Sequence, residues 1–166
     1  MASNDTLATF DALANQPPAF VSGNSAFLDT RNSHPCLDFA ATGSARAVFG
    51  GVMPRAYASG GLTVYLHWSS TSGVTGSMVW TLDFERNPST FDVTANSFGS
   101  AVSVTAAAPA SAGAIVITTA VFTHGTDTDS IIAGDKFRLR VMRNADVGGD
   151  DMTGDAELYA VEVKET

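Results

Sequence analysis

Charge and sulfur are what this chain has least of. Asp, Glu, Lys and Arg make up only 16% of its 166 residues, against roughly 25% in an average globular protein. So sparse a charge content suits a compact β-protein, or one that hides part of its surface in an oligomer. With a single cysteine, Cys36, neither an intrachain disulfide nor a cysteine-rich metal site can form. In the apolar run Cys36-Leu37-Asp38-Phe39 that thiol reads as a small buried hydrophobe rather than a reactive group. No Lys or Arg precedes Arg31. Without a basic n-region or a long apolar stretch there, a secretory leader is not expected. No segment approaches the ~18 apolar residues that cross a bilayer, so no membrane anchor is expected either. The net charge of −8 and a pI near 4.5 set the surface against nucleic acid, whose phosphates repel it.

What is present is 45% hydrophobic, in a chain long enough to bury one core without staples. Residues 1–33 stand apart as an N-terminal arm. Leu7, Phe10, Leu13, Phe20 and Phe27 are scattered among polar residues and the breaker pair Pro17-Pro18. The spacing of Leu7, Phe10, Leu13 and Ala14 allows one short helix before the prolines. Beyond it the arm lacks periodicity, and its phenylalanines suggest that it lies against another surface rather than forming a core.

Residues 34–166 read as a β-sandwich domain, strand after strand between Gly, Pro, Asn, Asp and Ser clusters. In Leu62–Trp68, Leu62, Val64, Leu66 and Trp68 point one way and Thr63, Tyr65 and His67 the other. Met78, Trp80, Leu82 and Phe84 form a second core face, with Thr81, Asp83 and Glu85 outside. The Ser/Thr/Gly-rich Ser69–Ser77 between them reads as a hairpin loop. Phe137, Leu139 and Val141 alternate with a basic stripe of Lys136, Arg138 and Arg140. In the last run Tyr159, Val161 and Val163 alternate with Leu158, Ala160, Glu162 and Lys164. Further strands are expected near 35–42, 46–53, 101–107 and 114–123, giving eight, with an irregular stretch from Asn87 to Ser100 that has room for a helical turn or a short ninth strand. Eight strands without a long amphipathic helix indicate an all-β, antiparallel, eight-stranded sandwich of jelly-roll type. Ala114–Phe122 departs from alternation, being apolar on both faces. Its outer face needs a cover, either the arm or a neighbouring subunit.

Catalytic apparatus is missing from the pattern, and no catalytic, cofactor-binding or metal-binding residue is assigned. His34, His67 and His124 are far apart, without zinc spacing. The acidic loops His124–Ser130 and Asn144–Asp151 resemble ordinary turns more than a calcium loop. Asp83 and Glu85 share a strand face, as a glycosidase pair would, but Arg138 and Arg140 stand ready to pair with them in a surface charge ladder. Gly50-Gly51 and Gly60-Gly61 read as turn glycines without a phosphate-binding fingerprint. Trp68 and Trp80 fall on core faces. An exposed pair would instead favour a sugar-stacking, carbohydrate-binding sandwich.

The strings Gly60–Trp68, Val79-Trp80, Phe84-Glu85-Arg86 and Gly154–Val163 resemble small jelly-roll virion structural proteins of tailed bacteriophages, the decoration or cement proteins of the capsid. The likeness spans roughly residues 45 to 165 and leaves the arm aside. It implies a protein without enzymatic activity or cofactor, commonly a homotrimer, bound to the major capsid protein on the outer surface of the virion after synthesis in the host cytoplasm. A tail, head-fibre or baseplate component and a carbohydrate-binding module are the alternatives. Deleting residues 1–33 is expected to spare the fold and to abolish either attachment to the capsid or the oligomer. Because no ligand-spaced cluster appears, chelator and excess calcium should each move the melting temperature by less than about 5 °C in a thermal scan, on the order of 1 kcal/mol for a domain this size.

Overall fold

A computed structural model describes residues 5–16, 24–72, 75–95 and 97–166. Their strands are β1 (Thr6–Asp11), β2 (Phe27–Arg31), β3 (His34–Phe39), β4 (Ser44–Val52), β5 (Leu62–Ser70), β6 (Ser77–Asn87), β7 (Val102–Ala107), β8 (Val116–Phe122), β9 (Lys136–Asn144) and β10 (Ala156–Glu165). All pairings are antiparallel. One sheet runs β2-β3-β10-β5-β8, with β1 also on β10, and the other runs β4-β9-β6-β7. From β3 onward every connection crosses to the opposite sheet except β6 to β7. That interleaving is a jelly roll, and all eight of its strands lie within residues 34–166. The Ser69–Ser77 connection therefore bridges two sheets and is not a hairpin loop.

The core is the set of alternate side chains read from the strands. Leu62, Val64, Leu66 and Trp68 from β5 meet Met78, Trp80, Leu82 and Phe84 from β6, all buried. Trp80 sits edge-on to Phe39 at 5.0 Å and to Trp68 at 5.9 Å between ring centres, and Phe84 meets Phe122 at 4.9 Å. Such geometry adds to plain area burial. In β10 the alternation slips. A register shift between Leu158 and Ala160 buries Leu158, Val161 and Val163 and turns Tyr159 outward, contrary to the uninterrupted alternation expected. One extra residue in a β-bulge exchanges the faces on either side of it.

The arm differs most from expectation. In place of a helix before the prolines there is β1 and a single 3-10 turn, Ala12–Ala14, capped by the Asp11 carboxylate. The cause lies in β10, which is longer than its neighbour β3. β3 pairs only with Ala156–Leu158, so the edge from Ala160 to Lys164 is left for β1 to fill. Satisfying those backbone groups overrides helical spacing. Leu7 and Ala12 are buried, and Phe10 stacks on Phe49 at 5.5 Å. Leu13 and Phe27 remain exposed, while Phe20 and Pro17-Pro18 lie outside the described residues. On either side of residues 17–23, Gln16 and Ser25 bridge to Val48 and Arg46 on the free edge of β4. Gly50 and Gly51 are thus strand residues under the arm, not turn glycines. A Cβ at Gly50 would overlap the Gln16 amide, and one at Gly51 would meet the Phe137 ring at 3.2 Å. Removing residues 1–33 strips part of the core's cover, so the arm belongs to the packed structure. Asn87 to Ser100 forms turns without a helix or ninth strand among the described residues.

The two sheets are tied at one end by Arg143 of β9, which is fully buried. Its Nε and Nη2 hold the two oxygens of Asp150 at 3.0 and 2.8 Å. Nη1 donates to the Phe39 and Gly154 carbonyls, and Nη2 also donates to that of Met152. All five guanidinium N–H donors are thereby used. Replacing Arg143 with Met should destabilise the chain by about 3–5 kcal/mol, because Asp150 is left buried and unpaired. In a thermal melt the midpoint should fall by roughly 10 °C, with part of the loss recovered when Asp150→Asn is added.

Candidate functional site

The carboxylates that carried the enzymatic alternative are spent on structure. Arg140 grips both oxygens of Asp83, and Arg138 bonds Glu85. The expected ladder forms, but it is buried rather than superficial, with Glu85 at 0% exposure. The Asn87–Ser100 connection covers it. The Phe98 ring lies 4.2 Å from the Arg140 guanidinium and 5.2 Å from that of Arg138. Ser97 N–H donates to Glu85 at 2.8 Å, and the Asn87 amide donates at 3.1 Å. Burial alone would raise the Glu85 pKa. The bonds from Arg138, Ser97 and Asn87 outweigh it and hold the carboxyl below its ordinary range. A carboxylate clamped in this way is a poor general acid.

The acidic loops are likewise committed. Asp150 accepts from Val79 N–H as well as from Arg143, Asp151 accepts from Ser77 N–H, and Asp146 accepts from Gly43 N–H. In the other loop Asp127 accepts from Thr123 N–H and Asp129 from Arg86 N–H. These are turn and strand-end contacts, the ordinary use of Asp in such places. Among the described residues no group of three His, Cys, Asp or Glu is arranged to hold a metal.

The histidines sit on three elements, His34 in β3, His67 on the outer face of β5 and His124 after β8. Cys36 is fully buried, and burial, followed by the nearby Glu157, pushes its thiol up to about 11. It is the buried, inert residue expected of its sequence context. Trp68 and Trp80 are both fully buried, and the Trp68 indole donates to Thr118 at 2.9 Å. A sugar platform made of these two rings is therefore excluded.

A different constellation stands on the outer face of the six-stranded sheet. Phe27–Arg31 and His34–Phe39 pair with Arg31 opposite His34. The two residues between them, Asn32 and Ser33, both have positive φ, 47° and 66°. This is the tight turn whose twist matches a hairpin. It stands beside the loop before β8, and Arg31, Asn32, His34, Gly113, Ile115 and Tyr159 line a cleft of about 440 Å³. That size lies within the roughly 300–1,000 Å³ of small-molecule sites. Arg31 pairs with Glu157 at 2.5 Å and donates to the Ser70 and Thr71 carbonyls. Glu157 also accepts from Ser69 at 2.8 Å and from the Tyr159 hydroxyl at 3.2 Å. The ion pair and hydroxyls form a braced floor, and the Tyr159 ring and exposed Ile115 supply apolar wall. Burial dominates in raising the Tyr159 pKa, so the phenol keeps its proton.

Of this cleft the sequence reading singled out only His34. The Asn32-Ser33 turn between two extended runs was the available signal for Arg31 opposite His34. Tyr159 carried no such signal, because a bulge turns it outward.

No family model matches the sequence, and no curated protein matches it. Solved structures with related backbones include the C-terminal CBM6 of LamC, a marine laminarinase from Zobellia galactanivorans, at 12% identity and TM-score 0.46, covering 97% of this chain and all of that one. TmCBM61, solved with β-1,4-galactotriose, matches at 11% identity and TM-score 0.37, over 80% of this chain and 71% of its own. Arabinose-bound MgGH51 α-L-arabinofuranosidase matches at 10% identity and TM-score 0.45, over 98% of this chain and 23% of its own. At these values the neighbours assign no ligand and no site.

Beside the cleft, Asp38 faces Glu157 across the β3–β10 pair, and its Oδ1 is buried without a hydrogen-bond partner. Burial first, then Asp155, Glu157 and Asp29, raises its pKa from 3.8 to about 6. The folded chain thus holds this proton more tightly than the unfolded chain. Ionised Asp38 weakens the fold at neutral pH, and the penalty is relieved as pH falls through about 6 and is gone below 3.8. Asp38→Asn should raise the melting temperature at pH 7 and flatten its dependence between pH 7 and 4. An unchanged slope would show that Asp38 titrates normally.

Proposed function

We propose that the chain is a non-enzymatic structural protein that works by assembly, a jelly-roll subunit that decorates a bacteriophage capsid. In this reading it is a homotrimer held against the major capsid protein on the outer surface of the virion. The resemblance in the sequence suggests the virion. The observation that supports assembly is the uncovered edge at β8. Ile115, Ile117 and Val121 are exposed at 59%, 57% and 58%, and among the described residues only β5 pairs with β8. The described residues of the arm, one of the two covers expected for this strand, pair with β10, β3 and β4 instead.

The chemistry of that edge suits contact with another protein. From Val93 to Thr126 the sequence contains no Asp, Glu, Lys or Arg, although the chain carries a net charge of −8. Natural edge strands are ordinarily protected by charge, proline or a covering segment. Here β4 has its cover, and β7 and β8 flank an opening of about 520 Å³ lined by Val104, Ala106, Val116 and Ile117, among others. A closed cyclic oligomer covers such a patch without starting a filament. Each apolar side chain fully buried there contributes roughly 1.5–3 kcal/mol before ordering costs.

A second reading, a carbohydrate-binding module, is favoured by the cleft around Tyr159. It does not use the buried tryptophans, so quenching of tryptophan fluorescence is a poor assay for it.

Native mass spectrometry at micromolar concentration should give a multiple of 17.2 kDa, three copies on this reading. Ile117→Lys with Val121→Lys should yield monomer with an unchanged circular dichroism spectrum. The unmodified chain should co-sediment with capsids stripped of it. A wild-type monomer, or failure to bind capsids, would overturn the assembly reading.

A further inference from the structure

We infer that the cleft between the β2–β3 turn and the loop before β8 is a binding site for an uncharged saccharide. The inference rests on the carbohydrate reading above and gives it a place and a ligand class. Charge decides the class. Among the described residues the one cation lining the cleft, Arg31, is already paired with Glu157 and bonded to two carbonyls. Its charge is therefore not free for a phosphate, sulfate or carboxylate, and the acidic chain around it repels anions further. The described lining offers a cationic ligand no open partner either: Asp38 does not line the cleft, and Glu157 is 7% exposed at its side chain and accepts from Arg31, Ser69 and Tyr159.

A neutral ligand with both apolar and hydroxylated faces remains. Ile115 and the Tyr159 ring offer surface to the C–H face of a pyranose. Tyr159 is held rigid by its bonds to Ser69 and Glu157, so little freedom is lost when a ring packs on it. Among the described residues nothing hydrogen-bonds the Asn32 amide or the His34 imidazole. Together they supply donors and acceptors to ring hydroxyls. The positive φ of Asn32 and Ser33 fixes the turn that places both beside the wall. Gly113 closes the other side, where φ is +80° and a Cβ would stand 3.1 Å from the Arg31 Nε. A side chain there would crowd Arg31. Few convergent polar groups on an apolar wall are the usual make-up of a small-ligand site.

The test is saturation-transfer NMR and calorimetry on the full chain with lactose, maltose and cellobiose, beside glucuronic acid and sialyllactose. At least one neutral disaccharide should bind with Kd at about millimolar or tighter, and the acidic sugars at least about tenfold more weakly. Asn32→Gly, which keeps the positive φ of the turn, His34→Ala and Ile115→Ala are exposed changes and should keep the fold by circular dichroism. Each should weaken binding by about tenfold, the scale of one hydrogen bond or apolar contact. Neutral binding that all three variants leave unchanged would overturn this site while sparing the carbohydrate reading. Stronger binding of the acidic sugars would overturn the uncharged class. No binding of any neutral sugar would overturn both the inference and the reading beneath it.

Discussion

A buried arginine is hard to place in a β-sandwich, because removing its charge from water costs several kcal/mol unless every donor finds an acceptor. Arg143 meets that condition through one carboxylate, Asp150, and three carbonyls. Those partners come from the end of β3 in one sheet and from the segment that carries β9 in the other sheet to β10. The acidic loop Asn144–Asp151, read from sequence as an ordinary turn, is drawn inward to serve this cation of the protein's own. With the loop fixed, β10 enters the six-stranded sheet between β3 and β5, and its far half becomes the edge on which β1 lies. The floor of the cleft depends on the same strand, since Glu157 and Tyr159 stand at its start.

The two sides of the sandwich are finished differently. Along β4 described residues of the arm meet the sheet edge, with Phe10 on Phe49, Gln16 over Gly50 and Ser25 bridged to Arg46. Along β7 and β8 no described segment does so, and the strands there are neutral and β-branched. Backbone groups at an edge bond to water when exposed and to a partner strand when one is present. Charge, proline or a covering segment ordinarily protects such an edge, and among the described residues the β8 edge has none of the three. On the outer face of the four-stranded sheet, Phe98 and the Asn87–Ser100 connection bury the arginine–carboxylate ladder. Asp83 and Glu85 are therefore internal, as are Arg143, Glu157 and Glu165 elsewhere in the sandwich.

Alternation with period two made the eight jelly-roll strands legible from His34 onward, because side chains on a pleated strand must face opposite ways. The same rule placed Trp68 and Trp80 in the core and set Asp83 and Glu85 opposite Arg138 and Arg140. It failed where backbone satisfaction outweighed pattern. β1 became a strand because β10 had an open edge, and Tyr159 turned outward because a bulge inserted one residue into the ladder.

The sequence by itself determined the all-β class, the strands that build the jelly roll and the identity of the core. These follow from local periodicity and residue type, which act over a few neighbouring positions. Only the tertiary structure decided that the arm joins the sheet, that Arg143 and Asp150 meet in the interior, and that Arg31, His34, Ile115 and Tyr159 surround one cleft. Those facts depend on contacts between segments as far apart as Arg31 and Glu157, whose |i−j| is 126. Which distant backbone edge stays open, and which buried charge must be answered, is settled only when the whole chain packs.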